Sequence, residues 1–339
     1  MIPWKSIWQF LIGAGSLLAI GAAWWYFQPQ PALPPGWQTI RPPVDVMALL
    51  EYHGDILSGG KAGLVRIDRL SGKVVEQIQA EQSIRIAYVT GLALDGKDGY
   101  WVAHNGGVSH FDGTTWRTYT TADGLPDNEA LAVALTRSGA VWVGTPKGVA
   151  RLLPGAGDQW QVFHKSDGLT SEAATVIFED SRGRVWLGDG HTTTGGLCVY
   201  DGQTWRTYST ADGLAHNVIT DILEDRQGAL WVTTGFSSQG GVSRLLPMGG
   251  AWRSLYQADG LAGGKARSIF QDATGKYWIG SEYDGIAIFA GDPFQTKSTV
   301  LTPKQGLAGW EVKAMLQDSS GDLWLGTENG ITRILKQAQ

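Results

Sequence analysis

Six histidines are the side chains of this sequence best suited to hold a metal or move a proton: His53, His104, His110, His164, His191 and His216. None forms an H-x-x-x-H or H-E-x-x-H pair, the spacing that puts two imidazoles on one helix face, so no zinc site is legible. The sequence also lacks a G-x-S-x-G elbow and a Walker loop. Recurrent D-x-x-G turns, such as Asp180 to Gly183 and Asp225 to Gly228, resemble calcium loops only superficially. They lack the alternating Asp/Asn ligands and the distal Glu, and Asp with Gly is ordinary turn chemistry. The single cysteine, Cys198 in GLCVY, excludes an internal disulfide and reads as a small buried hydrophobe. No N-x-S/T sequon occurs. These residues predict a protein that is not an enzyme, with no metal and no cofactor.

Composition narrows the partner. The net charge is -5 and the pI about 5.7, the opposite of the clustered Lys and Arg that phosphate binding requires, so nucleic acid is not expected. Glycine is abundant, at 47 of 339 residues, while proline is ordinary at 13. That is dense turn-making without collagen or disorder composition.

The elements that must position any site are repeats. Trp101, Trp142, Trp186, Trp231, Trp278 and Trp324 are separated by 41, 44, 45, 47 and 46 residues. Each sits in the same phrase, as in DSRGRVWLG (180–188) and DSSGDLWLG (318–326). Residues 173–210 read as four short strands bounded by Gly, Asp or Ser. A period in the forties with four strands per unit predicts a propeller blade. Stepping back 44 residues from Trp101 reaches Leu57, in GDILSGGKAGLVRID (54–68), a seventh, degenerate unit. The last unit ends after its third strand, and GWQTI (36–40) matches the outer-strand phrase TWRTY (115–119 and 204–208). An all-β, seven-bladed β-propeller over residues 36–336, closed by its N-terminal strand, is the expectation. The six spaced tryptophans, with Trp116, Trp160, Trp205 and Trp252 on outer strands, are expected to be structural.

Residues 7–27 carry no charge for 21 positions, about the length that crosses a hydrocarbon core of about 30 Å. Trp4 and Trp8 flank one end, and Trp24, Trp25 and Tyr26 the other, as in an interfacial aromatic belt. Lys5 precedes the span and no charge follows before Arg41. The predicted topology is a short cytoplasmic N-terminus (1–6), one transmembrane helix serving as a signal anchor (7–27) and a Pro-rich linker (28–35), with the propeller outside. A cleaved signal peptide is the rival, with Gly21 and Ala23 as candidate small residues. The uninterrupted WWYF beyond them favours the anchor.

EDSRGRVWLG (179–188), TRSGAVWVGTPKGV (136–149) and QDSSGDLWLGTENGI (317–331), with the D-G-L phrase between units, resemble the two-component regulator propeller repeat. The resemblance implies a seven-bladed, exported, sensor-type propeller of the kind found in hybrid histidine kinases, where carbohydrate-like ligands are thought to be detected. It also implies a single-pass protein of the bacterial cytoplasmic membrane with its propeller on the extracytoplasmic side, or a secreted one if the leader is cleaved. No kinase, immunoglobulin-like or DNA-binding segment is legible up to Gln339, so a recognition module without its own output is expected.

Strand alternation puts the linkers between units and the loops between second and third strands on one face. Two of those loops are longer than the rest, DGHTTTG (189–195) and TGFSSQG (234–240), against TPK (145–147) and TEN (327–329). Departure from a repeat on a rigid scaffold is where function is expected. The candidate ligand-binding residues are Asp189, His191, Thr193, Phe236, Ser237 and Gln239 from the longer loops. Across the mouth they are joined by His104, Asn105, Glu282, Tyr283, Trp310, Glu328 and Asn329. Amides and hydroxyls beside aromatic rings suit an unknown small molecule, carbohydrate-like or peptide. A membrane or periplasmic protein partner, with the propeller as scaffold, is the alternative. A lyase resembling the streptogramin lyases is a third reading, resting on His191 and His216 near Asp189 and Glu282.

Overall fold

Each repeat phrase becomes a hairpin through one turn. In the D-x-x-G turns the glycine takes a left-handed conformation (Gly183 φ 78°, Gly228 φ 77°), which a side chain would strain. The aspartate caps the turn. Oδ1 of Asp180 accepts the N–H groups of Arg182 and Arg184, both at 3.0 Å. Oδ2 accepts the indole N–H of Trp186 at 2.8 Å. Asp225–Trp231 (2.6 Å), Asp272–Trp278 (2.8 Å) and Asp318–Trp324 (2.9 Å) repeat the bond. The carboxylates that looked faintly like calcium ligands are thus structural acceptors, and four of the six recurring tryptophans are held at both the ring and the N–H.

The structure is a computed structural model and describes residues 32–79, 86–247 and 249–339. The N-terminal segments 1–6 and 7–27, and linker residues 28–31, lie outside the described residues. Among the described residues no helix is long and apolar enough to cross a membrane.

Seven four-stranded antiparallel sheets follow one another. Their first strands are Val46–Tyr52, Gly91–Leu94, Ala132–Leu135, Val176–Glu179, Ile219–Glu224, Ala266–Gln271 and Val312–Gln317, opening blades 1 to 7 in that order. Each first strand lies beside that of the next blade, and blade 7 returns to blade 1. The protein is therefore an all-β, seven-bladed propeller. The outer strand of blade 7 is Trp37–Ile40, paired antiparallel with Gly330–Ile334 from Trp37 opposite Ile334 to Ile40 opposite Ile331.

The core is a set of inter-blade layers. Trp186, Trp231 and Trp324 are fully buried, with Trp101, Trp142 and Trp278 nearly so, and Leu57 takes the corresponding place in blade 1. Trp186 packs with Ile222, Val232 and Trp252 of the following blade. Of the outer-strand set, Trp252 is buried, while Trp116, Trp160 and Trp205 are half-buried. The D-G-L linkers are plugs. Asp123 accepts the N–H of Thr120 at 2.9 Å, Gly124 turns the chain, and Leu125 is buried, as are Leu169, Leu214, Leu261 and Leu307.

Candidate functional site

Two blade-to-blade stitches define the two faces of the ring. On the face of the D-x-x-G turns, the residue after the aspartate, or after the Thr136 that replaces it, donates its N–H to the next blade. Arg137 bonds Glu179 (2.8 Å), Ser181 bonds Glu224 (2.6 Å) and Arg226 bonds Gln271 (3.0 Å). Ala273 bonds Gln317 (2.7 Å), and Ser319 bonds Glu51 of blade 1 (2.7 Å). The opposite face carries the linkers and the loops between second and third strands, joined through the backbone: Ala130 to His104, Ile219 to Asp189, Gly285 to Trp310 and Asp45 to Glu328.

On that opposite face, blades 6 and 7 enclose an open hollow of about 420 Å³ lined by Glu282, Tyr283, Trp310, Glu311 and Glu328. Glu282 and Tyr283 come from the loop of blade 6. Trp310 and Glu311 lead into the first strand of blade 7, and Glu328 comes from the loop of blade 7. Trp310 is 41% exposed and Tyr283 59%, whereas the six spaced tryptophans are buried. Glu328 is anchored by the N–H groups of Trp310 (2.8 Å, to Oε1) and Glu311 (2.9 Å, to Oε2).

A charge network backs the carboxylates. Lys265 pairs with Glu282, Arg267 with Glu311 (3.2 Å), and Lys313 with both Glu311 (3.0 Å) and Asp45. Burial acts to raise the Glu282 carboxyl, but Lys265 and the Tyr283 hydroxyl, which donates at 2.7 Å, outweigh it and hold the group below the usual carboxylate range. Burial likewise opposes the charge on Lys313, and Asp45 and Glu311 more than offset it, so its ammonium is held more firmly than usual.

Four of the thirteen sequence candidates, Glu282, Tyr283, Trp310 and Glu328, thus meet in one hollow. Others have structural duties. His104 is fully buried, its Nε2 2.8 Å from Ser109 Oγ and its Nδ1 accepting the N–H of Gly106 at 3.1 Å. It stands where Thr145 and Thr327 accept the same turn N–H in blades 3 and 7, and burial depresses its pKa to about 4. Asp189 is also buried. It accepts the N–H of His191 (2.8 Å) and the hydroxyl of Thr192 (2.6 Å), organising its own loop. His191, Thr193, Phe236, Ser237, Gln239, Asn105 and Asn329 are exposed on the same face but do not line the hollow. The longer loop of blade 5 is an extended hairpin, Leu230–Phe236 with Gln239–Leu245. Its Ser238 carbonyl sits so near Gly264 that a Cβ there would lie 2.0 Å from it.

Sequence reasoning missed Glu311 and the bases behind it. A signal was available: Lys265, Glu311 and Asp45 are charged residues that each immediately precede the first strand of a blade, in blades 6, 7 and 1, so they occupy equivalent, neighbouring positions around the ring. Among the described residues no group of three or more His, Cys, Asp or Glu side chains is placed to hold a metal ion. His216 has its Nδ1 accepting the N–H of Val218 at 3.0 Å.

Fold and repeat agree with the relatives. The family described as "Two component regulator propeller" matches residues 213–236 and 309–329, the second of which includes Trp310, Glu311 and Glu328 of the hollow. The chain carries two-component regulator propeller repeats within a seven-bladed ring. The extracellular domain of BT3049 from B. thetaiotaomicron, described as belonging to a hybrid two component system, superposes with a TM-score of 0.74 at 19% identity. That match covers 89% of this chain and 41% of that extracellular chain. PorZ of Porphyromonas gingivalis, a surface component of its type-IX secretion system, gives 0.67 at 15% identity, over 91% of this chain and 48% of PorZ. Virginiamycin B lyase from Staphylococcus aureus, solved with quinupristin, gives 0.67 at 12%, over 88% of this chain and 98% of the lyase. At these identities the likeness is one of fold. The chain spans less than half the length of BT3049 and PorZ. No curated protein matches it in sequence.

Proposed function

We propose that this protein is an exported, membrane-anchored, sensor-type recognition propeller that binds a small carbohydrate-like or peptide ligand in the hollow between blades 6 and 7. The observation that carries the reading is the hollow itself. Two exposed aromatic rings and three carboxylates converge there, on a scaffold whose other repeat aromatics are mostly buried. Concave sites that combine aromatic faces with a few fixed polar groups are the usual form of a ligand pocket. The likeness to the extracellular domain of BT3049 supports a sensor role. The charge-free run 7–27 supports a single-pass anchor with the propeller outside.

A thermal-shift screen of the full chain against oligosaccharides and short peptides tests the ligand reading, since a ligand of the folded state raises the melting temperature by mass action. Hits should vanish in Trp310→Ala. Hits that persist unchanged in that variant place the ligand elsewhere. For the anchor, the chain should stay in the membrane pellet after alkaline extraction, and release of an N-terminally shortened product would show cleavage instead.

One observation favours the scaffold reading. Phe236, 50% exposed at the tip of the blade 5 hairpin, stands outside the hollow on the same face. Pull-down of a membrane or periplasmic protein that depends on Phe236 but not on Trp310 would support it. The lyase reading has less to stand on, because Asp189 is engaged by its own loop and Glu282 by Lys265.

A further inference from the structure

The lining of the hollow is one-sided in charge. The Trp310 and Tyr283 rings supply apolar faces, and the rest of the lining is carboxylate, from Glu282, Glu311 and Glu328. No basic residue lines it. Lys265 and Lys313 are themselves largely enclosed, with side chains 14% and 9% exposed, and are engaged by Glu282 and by Glu311 with Asp45.

Glu328 differs from the other two acids. Among the described residues it has no salt-bridge partner, and its oxygens take one backbone N–H each. A carboxylate offers about four acceptor positions, so both oxygens keep capacity, and their orientation is fixed by the bonds already made. The charge is fixed in place without a counter-ion, beside two half-open aromatic rings.

Three ligand classes can be weighed against that lining. An anion would face three carboxylates and is disfavoured by charge. A neutral polyol could stack on the rings and donate to the oxygens, but it would leave the charge of Glu328 uncompensated. An ammonium or guanidinium group answers both features, through charge-assisted hydrogen bonds to the carboxylate and attraction to the faces of Trp and Tyr. We propose that the hollow recognises an organic cation, an ammonium or guanidinium group carried by a small amine or by a basic residue of a peptide. This inference rests on the reading of the hollow as the ligand site.

The test is calorimetric titration of the full chain in detergent with matched pairs of probes: lysine amide against norleucine amide, arginine amide against citrulline amide, and glucosamine against glucose. The cationic member of at least one pair should bind at least tenfold more tightly than its neutral match. Its affinity should fall severalfold between 50 and 500 mM salt, roughly as expected for a charge pair screened over a few ångströms. Glu328→Gln and Trp310→Leu should each weaken it at least tenfold. Because Glu328 also anchors backbone, Tyr283→Leu, on a 59% exposed side chain, serves as a variant that leaves the fold alone and should weaken cation binding severalfold. Preference for the amino-acid amides over glucosamine assigns the cation to a peptide, and the reverse assigns it to an amino sugar. Neutral probes binding as well as cations, with Trp310→Leu still weakening them, would overturn the cation class and leave the hollow standing as the site. Binding of no probe, or binding indifferent to all three variants, overturns the proposal, and indifference also removes the hollow as the ligand site.

Discussion

The two faces of the ring are built from the same repeats and obey different rules. On the face of the D-x-x-G turns, five successive blade junctions use one stitch, a backbone N–H to an acid or amide of the next blade. On the opposite face the corresponding loops differ in length and hydrogen bonding, and there the hollow, the exposed aromatics and the charge network lie. A face that repeats is under the common constraint of holding blades together. A face that does not repeat has been released from it, because the ring is already secured from the other side and through its buried tryptophan layers.

That contrast can be broken most severely at the seam. Removing residues 36–41 takes the outer strand from blade 7 and uncovers Ile331 and Ile334, both fully or nearly buried. The cost should be about 5 kcal/mol, a fall in melting temperature of roughly 10 °C or more. A variant beginning at Pro42 that melts with the full propeller would show that the ring does not depend on this strand. Next comes the turn face. Asp225→Ala orphans the Trp231 indole along with two turn N–H groups and leaves the Tyr277 hydroxyl only a long 3.4 Å contact with Gln227. A loss of about 3 kcal/mol in urea unfolding is expected. A loss below about 1 kcal/mol would mean that the aspartate is replaceable.

Stability against pH separates His104, at the irregular face, from Asp221, within the first strand of blade 5. His104 titrates near 4 when folded and near 6.5 when unfolded, so the unfolded chain binds more protons between those values and stability rises with pH. Desolvation pushes Asp221, on the first strand of blade 5, up to about 6 from 3.8. There the folded chain binds more protons, and stability falls as pH rises. Over roughly pH 4 to 6 the two slopes oppose each other. His104→Thr, which borrows the residue used by blades 3 and 7, should therefore leave stability falling with pH, and Asp221→Asn should leave it rising. Identical pH profiles in the two variants would mean that neither group carries its slope. The smallest effect belongs to the irregular face. Trp310→Ala should change unfolding free energy by less than about 1 kcal/mol while abolishing or weakening ligand binding, and Phe236→Ala, outside the hollow, should cost as little stability and leave small-ligand binding intact. A large loss of stability in either would make that aromatic structural.

Much of the ring was legible because a 44-residue period is a direct image of blade geometry. Even the degenerate first unit was found by counting back to Leu57. The candidate site was legible only in part. Glu282, Tyr283, Trp310 and Glu328 were reachable from strand alternation, which places loops on a face. Longer loops were a weaker guide. The extra length of 189–195 and 234–240 is taken up in self-capping by Asp189 and in an extended hairpin, neither of which lines the hollow. His104 misled because a buried imidazole and an exposed one have the same letter, and only packing shows that this ring replaces a threonine. Glu311 was missed because its role depends on a neighbouring blade's arginine, a pairing across 44 residues.

The pairing of Trp37 with Ile334 also sets a timetable. The strand that completes the last blade is made before the rest of the ring, and its partner follows almost 300 residues later. At a synthesis rate of roughly 5–20 residues per second, that is on the order of 15 to 60 seconds with Trp37–Ile40 unpaired and the nascent ring open along one side. Until its own partner arrives, that early strand must avoid pairing with foreign edges.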